Sequence, residues 1–329
     1  MRKISLVALA VIVLAACNSP ENKALTKHSS SGKTCEVLVA LDKGNDHAKA
    51  LLDSLLRAPQ NGLPQPEARF SVVSVPLSSL HNTQMFKMHR NIVMCDVKAG
   101  NPDKLYIHHN QWAEPQVVVD AAATCDDSLC ALFRRHSATI MEELYKAEYE
   151  RMGRAFYKDR DVDLMKKVSG KYGFELTVPN EFMCAVDEDG FLWLRKETKD
   201  FGLGVLVNTM PYREQRQFDA DKIYNRLDTM MRRYVSGPAE GSYMGTERRV
   251  DLESRAVSFG GAKYGIETRG LWRLFGDFMG GPFVSYCLLS PDGQQVVELT
   301  GYVYCPRFDK RDYLMQVDGI CRSIKWEDK

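Results

Sequence analysis

Apolar residues along the chain recur in two styles, and the change between them divides it. Glu36 to Leu41 (EVLVAL), apolar from Val37 onward, reads as a buried strand, and from Asp46 to Arg57 the residues Ala48, Leu51, Leu52, Leu55 and Leu56 form a helical stripe. Phe70 to Val75, Asn91 to Val97 and Gln116 to Ala121 are three more short apolar runs, and Leu105 to His109 adds another strand. From Thr124, placed as N-cap, the residues Leu129, Leu132, Phe133, Ile140, Leu144, Met152 and Phe156 keep near-helical spacing through a charged segment and predict one long helix. Beyond Ser169-Gly170-Lys171-Tyr172-Gly173 strands dominate: Phe174 to Val178, Phe191 to Lys196, Gly204 to Asn208 and Gly265 to Phe275. Phe283 to Leu289 and Gln295 to Tyr304 read as hairpin arms around Ser290-Pro291-Asp292-Gly293, where glycine takes the positive φ. Helices are predicted over Asp219 to Val235, stopping at Gly237-Pro238, and over Asp309 to Ser323. The expected fold class is α+β in two packed domains, residues 34–168 and 169–329.

The N-terminus has its own pattern. Met1-Arg2-Lys3 is a basic start, and Ile4 to Leu14 is an apolar run of eleven residues, the length of a signal-peptide core and too short to span a bilayer, which takes about 20 residues. Leu14-Ala15-Ala16-Cys17 follows and resembles the lipobox of bacterial lipoproteins, which implies cleavage after residue 16 and acylation of Cys17. Acyl chains on Cys17 supply the anchor, because each buried CH₂ contributes about 0.8 kcal/mol. Asn18 to Lys33 is polar and serine-rich and reads as a flexible tether. With Asn18 rather than Asp after the cysteine, lipoprotein sorting implies the outer membrane, and only Glu21 in the tether is acidic, which favours the periplasmic face.

Composition narrows the function classes. With 329 residues, 44% hydrophobic and 26% charged, the chain is globular and long enough for two cores. Losing Arg2 and Lys3 with the signal peptide leaves 42 of the 44 basic residues against 43 acidic ones, a formal charge of −1. No long-range field draws such a chain to nucleic acid.

Several segments resemble an uncharacterised lipoprotein family of the Bacteroidetes, a domain of unknown function. They are the lipobox, Arg90-Asn91-Ile92, Pro115-Gln116, Trp193-Leu194-Arg195 with Glu197-Thr198-Lys199-Asp200, and Met279-Gly280-Gly281-Pro282-Phe283. The resemblance implies no activity. From Phe174 onward the order of strand, Val178-Pro179 step, hairpin, helix, β-meander and closing helix is similar to the Mog1/PsbP-like fold, which implies an α/β/α sandwich with an antiparallel sheet for the second domain.

Chemistry-bearing motifs are sparse. All seven histidines lie between His28 and His136, so imidazole chemistry is confined to the first domain. His81, Met85, Met88 and His89 would suit a soft metal if they shared one helix face, but core methionines explain the stripe better, and no metal is assigned. Ser31-Gly32-Lys33-Thr34 lacks the earlier glycine and the preceding strand of a phosphate-binding loop. Asp159-x-Asp161-x-Asp163 lacks the glycine and glutamate of a calcium loop and reads as a solvated acidic patch. Besides Cys17 there are eight cysteines, several within apolar strands, and at most one disulfide is expected, with Cys125 and Cys130 as the closest pair.

The glycine-aromatic stretch from Arg269 to Phe283 is the candidate surface. Consecutive glycines allow close backbone approach, and Tyr302 and Tyr304 share one sheet face. Arg195, Trp272, Gly280, Gly281, Tyr302 and Tyr304 are therefore expected to cluster, with Trp272 partly exposed if this is a binding surface; the alternative is a wide hairpin with its glycines serving geometry and its aromatics in the core. No catalytic residue and no cofactor is assigned. The expectation is an outer-membrane lipoprotein acting as a non-catalytic binding or assembly component of the envelope, with the membrane, through its anchor, and an envelope protein or glycan as partners. The alternative is an envelope hydrolase acting on glycan or peptide through carboxylates such as Glu197 and Asp200, or through a histidine of the first domain.

Overall fold

The computed structural model of the chain describes residues 27–326. The expected signal peptide, Cys17 and most of the expected tether lie outside the described residues. No helix among those described is long and apolar enough to cross a membrane.

The first domain interleaves strands β1 (His28–Ser29), β2 (Glu36–Leu41), β3 (Ser71–Val75), β4 (Asn91–Val97), β5 (Lys104–His109), β6 (Ala113–Glu114) and β7 (Val117–Ala123) with helices α1 (Asp46–Leu56), α2 (Leu77–Asn82), α3 (Gln84–Lys87) and α4 (Asp126–Lys158). Five strands form a sheet in the order β3-β2-β4-β7-β5, parallel except for β5. A parallel sheet is covered on both faces, so its central strands are mostly apolar, with polar residues such as Glu36, Asn91 and Asp120 as the exceptions. Val37 and Val39 pack with α1 and α4, while Leu38 and Ala40 pack with Leu77 and Leu80 of α2.

The second domain comprises α5 (Val162–Tyr172), β8 (Phe174–Glu175), β9 (Met183–Glu188), β10 (Phe191–Glu197), β11 (Gly202–Pro211), α6 (Ala220–Tyr234), β12 (Tyr243–Thr246), β13 (Glu253–Val257), β14 (Tyr264–Phe275), β15 (Gly280–Leu289), β16 (Gln295–Tyr304), α7 (Arg311–Arg322) and β17 (Lys325–Trp326). Its antiparallel sheet runs β12-β14-β15-β16-β11-β10-β9, with β13 also on β14. Strand alternation sends Leu192 and Leu194 to the face covered by α5 and α7, and Phe191 and Trp193 to the face covered by α6. The result is an α/β/α sandwich within an α+β chain.

α4 joins the domains. This single helix of 33 residues, about 50 Å long, lays Leu129, Phe133, Ile140 and Leu144 on the first sheet and carries Phe156 to the core of the second. Gly319 of α7 allows the close approach, since a Cβ there would lie 2.7 Å from the Met152 sulfur.

Several expectations are corrected. The N-cap of α4 is Cys125, because the Thr124 amide and hydroxyl are taken by Asp103 at 2.8 and 3.1 Å. α5 sends Val168 and Tyr172 into the core of the second domain, although residues 162–168 were assigned to the first. Within Phe174 to Val178 only the first two residues form a strand, on β17. β9 and β13 are largely exposed and β12 is only four residues long, and all three escaped the pattern. The tether ends sooner than residue 33: β1 pairs with β6, the Ser31 amide donates to the Met88 carbonyl at 2.8 Å, and the Arg90 amide donates to that of Ser31 at 2.8 Å. Asp161 is the N-cap of α5 rather than part of a bare acidic patch, its carboxylate accepting from the amides of Asp163 and Leu164.

Candidate functional site

Trp193 on β10, Trp272 on β14 and Tyr302 on β16 all project toward the α6 side of the sheet, where they floor a cleft of about 690 Å³. Two glycines make this floor. Gly204 stands opposite Tyr302, and a Cβ there would lie 2.1 Å from the phenol ring, so the ring crosses the strand where no side chain stands. Tyr302 thereby accepts a hydrogen bond from Trp193 Nε1 at 3.0 Å, and burial pushes its phenol pKa up.

Gly281 plays the same part for Trp272. The two are register partners, and a Cβ on Gly281 would lie 2.0 Å from the Val303 carbonyl oxygen. That oxygen lies just past the last β15-β16 pair, Phe283↔Tyr302, and accepts from Trp272 Nε1 at 3.1 Å. The indole thus supplies a hydrogen bond where the ladder stops. Trp272 is only 3% exposed as a result, which overturns its expected exposure and removes it as a stacking platform. Gly280 pairs with Arg273, and both glycines are backbone fittings beneath the cleft. Tyr304 is half-buried, with its ring centroid 6.4 Å from that of Trp272.

Charged side chains form the rim. The Arg195 guanidinium lies 5.4 Å above the Trp193 ring and 3.3 Å from Glu197. Arg307 faces Asp200 at 3.7 Å, and Lys199 lies between these pairs in sequence. Each rim carboxylate therefore faces an arginine. A second hollow of about 570 Å³ shares Ser236, Gly237 and Pro238 with the first. There Arg232 lies 4.8 Å over Tyr243 and Arg233 lies 4.9 Å over Tyr234.

The structure thus brings Arg195, Trp272, Tyr302 and Tyr304 to one place, while Cys17 lies outside the described residues. Sequence reasoning missed Lys199, Arg307 and the 236–238 segment as cleft residues, and named Asp200 only as a carboxylate of the alternative hydrolase. Gly237-Pro238 registered only as a helix stop, and a loop wall has no periodicity to betray it.

The first domain carries a mostly parallel sheet. In parallel α/β sheets ligands bind at the carboxyl ends of the strands, but here the acidic residues at that end serve as caps. Asp42 accepts from the Leu77 amide at 2.9 Å, and Asp126 accepts from those of His47 and Ala48 at 3.0 and 2.9 Å. The opposite end holds a buried network. Arg151 donates to Glu148 at 2.7 Å and to Asn91 Oδ1 at 2.9 Å, and Gln116 donates to the carbonyl of His89 at 2.7 Å, so Asn91 and Gln116 act as stitching.

The His81 to His89 stripe is not one helix. The break at Thr83 separates α2 from α3, and His89 is bound to Glu36 and the Asn91 carbonyl, each at 2.9 Å. Among the described residues no group of three His, Cys, Asp or Glu is placed to hold a metal ion, and the eight cysteines there are free.

Residues 161–323 match the family model of a domain of unknown function (DUF4837), and residues 30–157 match that of a second domain of unknown function (DUF8532). The two matches meet where α4 gives way to α5, so the chain is built of two domains of unknown function whose boundary coincides with a structural one. A search of the curated proteins finds no match.

Proposed function

We propose that this protein is an outer-membrane lipoprotein, anchored through Cys17 on the periplasmic face, and that its second domain binds a ligand without transforming it. The observation that carries this reading is the cleft: an aromatic floor fixed by glycines, with a rim whose carboxylates each face an arginine rather than one another. Volumes of about 300 to 1,000 Å³ are usual for small-ligand sites. A hydrolase of glycan or peptide would instead set two carboxylates across the scissile bond. The layer order of the second domain also supports the Mog1/PsbP-like resemblance. Crosslinking on intact cells, followed by purification from outer membranes, tests the proposal: Tyr304→Ala and Arg195→Ala should each reduce crosslinked material while leaving the melt unchanged. Unaltered crosslinking in both variants would remove the cleft from the function.

A further inference from the structure

The side chains around the two hollows share one arrangement. Arg195 lies over Trp193, Arg232 over Tyr243 and Arg233 over Tyr234. A guanidinium resting on a ring is positioned in advance and turns its N–H fork outward, which suits carboxylate and phosphate oxygens. With Lys199 and Arg307 these make five cations, against the carboxylates of Glu197, Asp200 and Glu240. This local excess stands on a chain whose formal charge is only +1. Arg232 and Arg233 are in no ion pair among the described residues.

We infer that the two hollows together bind a linear acidic polysaccharide, with Arg195 holding one anionic sugar and Arg232 and Arg233 holding another further along the chain. The inference rests on reading the cleft as a binding site. A chain is called for because the hollows adjoin along Ser236 to Pro238, whereas a compact anion fills only one. The covered rings decide against a nucleic acid. Tyr234 stacks on Phe191 at 4.2 Å beneath Arg233, and Tyr243 stacks on Phe275 at 5.1 Å beneath Arg232, so neither ring has a face left for a base.

The test is calorimetric titration of the full chain in detergent with disaccharides and octasaccharides of galacturonate and of phosphomannan, beside neutral malto-oligosaccharides, oligothymidylate and oligoglutamate. An acidic octasaccharide should bind roughly tenfold or more tighter than its disaccharide, and added salt should weaken it. The exposed double variant Arg232→Gln with Arg233→Gln should abolish the gain from length, and Arg195→Gln should weaken both the disaccharide and the octasaccharide. Equal binding of neutral sugars, tighter binding of oligothymidylate or oligoglutamate, or affinity independent of length would overturn the inference. If no probe binds while Tyr304→Ala still reduces crosslinking in cells, the polysaccharide assignment fails and the binding site stands; if neither effect is seen, both fail.

Discussion

The Tyr149 hydroxyl, on the long helix that begins in the first domain, donates to Asp318 of α7 in the second at 2.7 Å. Asp318 is 1% exposed and also accepts from Tyr286 at 2.6 Å, Arg322 at 2.8 Å and Arg269 at 2.5 Å. Glu267, equally buried, faces Arg269 at 2.7 Å and both Arg255 and Arg322 at 2.9 Å. This cluster lies where the domains meet. Such a network is costly to bury and costly to break, because removing one charge strands its partners.

Asp318→Asn should therefore cost roughly 3 to 5 kcal/mol, and Tyr149→Phe about 1 to 2 kcal/mol. Urea unfolding of the two variants measures both. An Asp318→Asn loss no larger than that of Tyr149→Phe would mean that the arginines find water.

The same residue sets an acid limit. Burial disfavours the Asp318 carboxylate, but Arg322, Arg269 and the two tyrosines outweigh it and hold its pKa well below the usual carboxylate range. A depressed folded-state pKa contributes stability above the unfolded value of about 3.9, and that contribution disappears as pH falls below it. Glu267 shifts in the same direction. The melting temperature should drop below about pH 4, and the drop should be shallower in Asp318→Asn. Parallel acid limbs would show that other carboxylates govern it.

Gly281→Val should unfold or severely destabilise the second domain, by roughly 3 kcal/mol or more. Its first carbon meets the Val303 carbonyl oxygen that Trp272 needs. Gly204→Ala should displace the Tyr302 ring and blue-shift Trp193 emission less than in the parent. A Gly281→Val protein with a parental melt would show that β15 shifts freely.

A chain beginning at Lys33 loses the β1-β6 pairing and the Ser31 bonds to Met88 and Arg90, and should melt at lower temperature than one beginning at Lys27. The difference should be about 1 to 2 kcal/mol by urea unfolding. Identical melts would mean that this segment adds nothing.

Cys17→Ser should release the protein from the membrane fraction, because an apolar run of eleven residues is too short to hold it there. Retention of that variant through high-salt and alkaline washing would refute the lipid anchor.

The sequence alone determined the elements whose burial follows a period. β2 and β7 are apolar except for Glu36 and Asp120 because both faces are covered, the stripe of α6 faces one side, and Gly293 takes the φ of +74° that its turn requires. It also placed Arg195, Trp272, Tyr302 and Tyr304 near one another, since strand neighbours and alternate residues have fixed geometry. Only the tertiary structure decided that Trp272 is buried. That depends on Gly281 and on where the β15-β16 ladder stops, and register between distant strands leaves no mark in a local pattern. It likewise decided that Asp318 and Glu267 are buried among arginines from separate elements. A charged residue on a helix reads as solvated until packing supplies its partners, and here those partners lie up to 169 residues away along the chain.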